Sequence, residues 1–133
     1  MISQEKTLRL FQEIGKVLYA IAIADKKIHP KEYDTVKRIV NEHWGAVYRT
    51  TDLYGTDASH QIEIVFDWLY EHHFTWDELL EDFSIFKENN DELFTDNLKA
   101  KIIKAAHEVA ASFAGKNKNE LIALGRLNLI LRS

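Results

Sequence analysis

Apolar residues recur at three- and four-residue steps along most of this chain. Leu10, Phe11, Ile14, Val17, Leu18, Ile21 and Ala24 set the first such stripe and predict an amphipathic helix over roughly 4–24. The turn "DKKIHP" interrupts it. Pro30 suits the first position of a second helix, where its missing N–H is not needed. Tyr33, Val36, Ile39, Val40 and Trp44 form that helix's apolar stripe, which ends near Gly45. Residues 45–58 carry turn formers without a period and read as a connection.

Ile62, Val65, Phe66 and Leu69 then predict a third helix, ending near "EHHF". The fourth start is the best marked. Thr75 and Glu78 match a capping box, with Phe74 and Leu79 at the positions of a hydrophobic staple. That helix runs through "LLEDFSIFK" to "ENND". Leu98, Ile102, Ile103, Ala106, Val109, Ala110 and Phe113 predict a long fifth helix, with Gly115 as its C-terminal cap. Asn119 is placed to cap a sixth, "ELIALGRLNLILR". No segment alternates with period two, so no strand is expected. The fold class predicted is all-α, a compact bundle of about six to seven helices.

The corners "IAIADKKIHPKEYDTVKRI" and "AASFAGKNKNELIALGRL" align Ala24 with Ala114, Glu32 with Glu120 and Arg38 with Arg126. They suggest two pseudo-repeated helical hairpins flanking a middle helix pair. Charge sharpens the division. From Asp57 to Asn97 twelve Asp and Glu face one lysine, a local net of −11 that leaves +7 for the rest of a chain of net −4. The middle is acidic and the ends are basic.

With 133 residues the chain, 1–133, is expected to be a single domain. Its 46% hydrophobic and 29% charged residues suit a folded globule and argue against disorder. The absence of cysteine removes disulfides, thiolate metal sites and cysteine nucleophiles. Charges break up the N-terminal stretch, so neither a signal peptide nor a membrane span is expected, and a cytoplasmic location follows as the expectation.

The corner Asp25, His29 and Glu32 has two readings. Glu32 at the third helical position meets free N–H groups and the positive end of the helix dipole, and Asp25 can accept from the following turn, which is capping. The alternative is a divalent-cation site on Asp25 and Glu32, with His29 the weaker ligand. The spacing is not an EF-hand. His60, Glu63, Asp67 and Glu71 form a row along one helix face. We read Glu63, Asp67 and Glu71 as an interaction surface for a protein partner with a basic surface; the alternative is that this acidic helix face, with the Asp25 and Glu32 corner, makes the chain a divalent-cation-binding protein. HExxH, paired Glu-x-x-His, P-loop and dinucleotide patterns are all missing. His107, Ser59 and Ser112 lack a nucleophile context. No catalytic residue and no cofactor are therefore assigned, no enzyme activity is expected, and the acidic balance disfavours nucleic acid. Trp44, Trp68, Trp76, Tyr48 and Tyr54 are residue types enriched at interfaces and common in cores.

The pattern from Ile21 to Glu32, "IAIAD…I…E", with its echo from Ala110 to Glu120, resembles the TerB-like family of tellurite-resistance and related helical domains. The resemblance implies a bundle of about seven helices in two pseudo-symmetric halves and a stress- or tellurite-resistance-related role. It also implies a divalent-cation site on the acidic corner residues. This chain departs from the family at two places: Lys26 replaces the glycine after Asp25, and Gly115 stands where a second aspartate is usual.

Overall fold

The element against which the others pack is the first helix, α1, Gln4–Ile23. The computed structural model describes residues 4–24, 34–39, 42, 58–72, 74–112 and 118–132, with the side chains of 4–8, 58–63 and 120 excepted. Among the described residues all regular structure is helical. After α1 come a helical stretch at 34–39, then α2, Ala58–Glu71, α3, Trp76–Asn89, a 3-10 turn at Asp91–Leu93, α4, Asp96–Ala111, and α5, Lys118–Arg132. No described helix is long and apolar enough to cross a membrane.

The sequence stripe predicts one buried face for α1. The structure buries more: Val17 through Ala22 are all covered, so the second half of α1 is enclosed on every side. A helix apolar all round belongs in a core rather than at a surface. α2, α3, α4 and α5 each pack on it, and α5 also packs against α3 and α4. Val36 and Ile39 from the 34–39 stretch, Phe66 and Leu69 from α2, and Leu79, Leu80 and Phe83 from α3 join the same buried cluster. So do Leu98, Ile102, Ala105, Ala106, Val109 and Ala110 from α4, and Ala123, Leu124, Leu127 and Leu131 from α5. Tyr19 meets Phe66 edge-on at 5.7 Å, and Phe94 meets Phe83 edge-on at 5.6 Å.

Local capping sets the helix starts. The Glu78 N–H donates to Thr75 Oγ1 at 3.1 Å, and the Thr75 N–H donates back to Glu78 Oε2 at 3.3 Å, so the expected capping box is present. Two orphan donors are thereby satisfied before the core is reached. Thr95 caps α4 in the same way, accepting from Leu98 N–H at 3.1 Å. That cap and the 3-10 turn before it were not read from the sequence. Asn119 was expected as a cap and instead lies inside α5, which begins at Lys118. Phe113 and Gly115, Tyr33, Val40 and Trp44 lie outside the described residues.

Among the described residues, two charged side chains are buried. Glu13 is 1% exposed on α1, and burial pushes its carboxyl above the usual carboxylate range, opposed by Lys16 and Arg9. Lys16 Nζ lies 3.1 Å from Glu13 Oε2 and 3.5 Å from Oε1, and only the latter contact has hydrogen-bond geometry. Lys87, at the end of α3, pairs with Asp91, and its hydrogen bond and charge hold that exposed carboxyl below the usual range.

Candidate functional site

α2 turns Phe66 and Leu69 inward, which sends the residues on the opposite arc to solvent. Ile64 and Trp68 stand one turn apart there, and Glu71 follows Trp68 by three residues, within reach on the same surface. Trp68 is 49% exposed, an unusual position for so large an apolar ring, and Ile64 is similarly open. The face therefore combines an aromatic and an aliphatic side chain with flanking carboxylates.

The end of α2 holds the indole in place. His72 stacks on Trp68 at 4.5 Å between centroids, with 29° between planes. Its Nδ1 lies 2.6 Å from the Trp68 carbonyl. A carbonyl only accepts, so in this contact Nδ1 is the donor. Phe74, half-buried, approaches Trp68 at 5.2 Å and His72 at 6.4 Å. Three rings thus form a cluster at the corner between α2 and α3, immediately before the Thr75 cap.

Of the acidic row assigned from sequence, Asp67 and Glu71 are exposed on α2. Asp67 also pairs with Lys37 at 3.0 Å, which ties α2 to the 34–39 stretch. Glu63 lies within α2, its side chain outside the described residues. Asp25, His29 and Glu32 fall outside the described residues, as do Tyr48 and Tyr54. Among the described residues no three His, Asp or Glu side chains are grouped to hold a metal ion. Ser112 Oγ donates to the Val109 carbonyl at 2.8 Å, a helix-end contact rather than a nucleophile's.

Described ion pairs tie the acidic middle to the basic ends. Besides Lys37 with Asp67, Arg126 of α5 pairs with Asp77 of α3, and Lys16 of α1 approaches Asp82 at 3.9 Å. Arg126 also lies over the Trp76 ring, 5.6 Å from its centroid. Trp76 is thus covered by a cation of the same chain while Trp68 is left open.

A second acidic surface, missed by sequence reasoning, lies on α3. Its outward arc carries Glu78, Glu81, Asp82 and Glu88 around Ile85, all exposed. The signal was legible: Glu78, Glu81, Ile85 and Glu88 recur at helical steps opposite the stripe of Leu79, Leu80, Phe83 and Phe86. Compared with family models, curated proteins and solved structures, the chain has no match.

Proposed function

We propose that this chain is a non-enzymatic, TerB-like interaction module, and that the outward face of α2 captures a protein segment that is both apolar and basic. The observation carrying the reading is the half-exposed Trp68, held by His72 and Phe74 and set beside Ile64 and the carboxylates Asp67 and Glu71. Exposed tryptophans with a rigid backing are the residues that dominate binding energy at interfaces. The neighbouring acids contribute by steering and selecting cationic partners more than by raw affinity. Arg126 over Trp76 and beside Asp77 is an instance within this chain of the same recognition chemistry.

The family reading is supported by the Ile21–Glu32 pattern and its echo at Ala110–Glu120, together with the all-helical fold. A cytoplasmic scaffold in a stress- or tellurite-related system is the role that the resemblance implies.

The test uses labelled amphipathic peptides of one apolar pattern, with either basic or acidic flanks, and anisotropy titration of the whole protein. The basic peptide should bind, more weakly as salt rises. Trp68→Ala should weaken it at least tenfold, about 1.4 kcal/mol, while lowering the melting temperature only modestly, through the lost contacts with His72 and Phe74. Equal binding of both peptides, or binding indifferent to Trp68→Ala, would refute the assignment.

A further inference from the structure

α5 is apolar on two sides. Ala123, Leu124, Leu127 and Leu131 face the core, as the stripe of a packed helix should. On the outward arc stand Leu121, Ile122 and Leu129, all exposed, with Leu129 at 68%. At about 100° per residue, these three and Gly125 fall within one arc little wider than a quarter of the helix circumference. Lys118 and Arg132, both exposed, close the two ends of this strip. A solvent-facing helix surface is ordinarily polar.

Gly125 sits in the middle of the strip. A Cβ built there would meet nothing within 4 Å, so among the described residues no packing uses the missing side chain. Glycine in a helix interior is unfavourable relative to alanine, and its use is to let another backbone come close.

Whatever covers this strip must be apolar and acidic. Such a surface lies on a helix that α5 packs against: Ile85, 51% exposed, is surrounded on α3 by Glu78, Glu81, Asp82 and Glu88. The two surfaces share a border. Ile122 is one turn before Arg126, Arg126 pairs with Asp77, and Glu81 is one turn after Asp77. A basic-ended apolar strip and an acidic apolar face side by side become self-complementary under a two-fold rotation, in which each strip meets the other copy's acidic face.

We propose that a second copy of this chain docks here, α5 of each protomer lying on α3 of its partner. Lys118 and Arg132 then meet Glu81, Glu88 and their neighbours. An antiparallel pairing of α5 with α5 would instead bring Lys118 beside the partner's Arg132, like charge against like. The surface is separate from the α2 face, and the proposal does not depend on that reading.

The experiment is sedimentation velocity of the full chain over a wide concentration range, at low and high salt. A monomer–dimer equilibrium that weakens with salt is expected. Gly125→Leu and Leu129→Glu should each raise the dimer dissociation constant at least tenfold, with helical circular dichroism retained because a side chain at 125 meets nothing within 4 Å and Leu129 is 68% exposed. Glu81→Lys with Glu88→Lys in one sample, and Lys118→Glu with Arg132→Glu in another, should each be monomeric alone. Mixed together they should associate one to one. A monomer at every concentration would overturn the proposal, as would a dimer unchanged by either strip substitution or a charge-reversed mixture that stays apart. If one strip variant loses helicity, the other and the charge-reversed mixture still decide the outcome.

Discussion

Arg126→Ala tests how α5 is held. Its guanidinium lies over Trp76 and pairs with Asp77, with the two charged side chains 32% and 69% exposed. An ion pair this open contributes about 0.2–1 kcal/mol, and a solvent-accessible cation over the partly buried Trp76 ring about 0.5–1 kcal/mol. Their sum, roughly 0.7–2 kcal/mol, is the expected loss. Leu127, 1% exposed on the same helix, should cost about 2–5 kcal/mol on truncation to alanine, because transfer and cavity terms add. Burial therefore outweighs the bridge, and the arginine orients α5 on α3 more than it retains it. Urea unfolding followed by circular dichroism should rank Leu127→Ala above Arg126→Ala. Double-mutant cycles should then split the arginine's contribution: coupling to Asp77→Asn should fall with salt, and coupling to Trp76→Leu should persist. Arg126→Lys, which keeps the charge and loses the planar stack, should fall between wild type and alanine. The reasoning fails if Arg126→Ala costs more than Leu127→Ala, or if neither cycle shows coupling.

Thr75→Ala removes an acceptor from the α3 capping box and should destabilise by about 1 kcal/mol, measured by the same unfolding assay. Glu13→Gln should raise the melting temperature at neutral pH, because burial disfavours the charged carboxyl. The sign follows from linkage: between the ordinary 4.5 and the raised native value, the native state holds more protons than the unfolded chain, so wild-type stability falls as pH rises through that window. The advantage of Glu13→Gln should accordingly shrink on acidification, as melts at a series of pH values would show. Burial, helped by Tyr70, pushes the Tyr19 phenol from 10.0 up to about 12. Wild-type stability should fall across that alkaline interval, and Tyr19→Phe should flatten the loss.

The parts of this fold legible in the sequence are those governed by forces acting within one or two helical turns. The Thr75–Glu78 box could be read because donor and acceptor are three residues apart and the geometry is that of any helix start. The α4 stripe, and that of the first half of α1, could be read because burial on one side imposes a period of 3.6. For the corner at Asp25 and Glu32, the sequence left capping and cation binding both open.

Tertiary packing decided the rest. Periodicity says which arc of a helix is apolar, and it does not say how many neighbours cover it, so the enclosure of Val17 through Ala22 and the burial of Glu13 depended on four helices converging on α1. The same holds for charge. The acidic surplus between Asp57 and Asn97 was countable, but its ties to Lys37, Lys16 and Arg126 join residues far apart in the chain. Trp68 and Trp76 are equivalent as letters, and only the placement of Arg126 over one and of solvent beside the other separates them. Short-range hydrogen bonding and periodicity are properties of the chain itself, whereas exposure and ion pairing belong to surfaces that exist only once the helices have met.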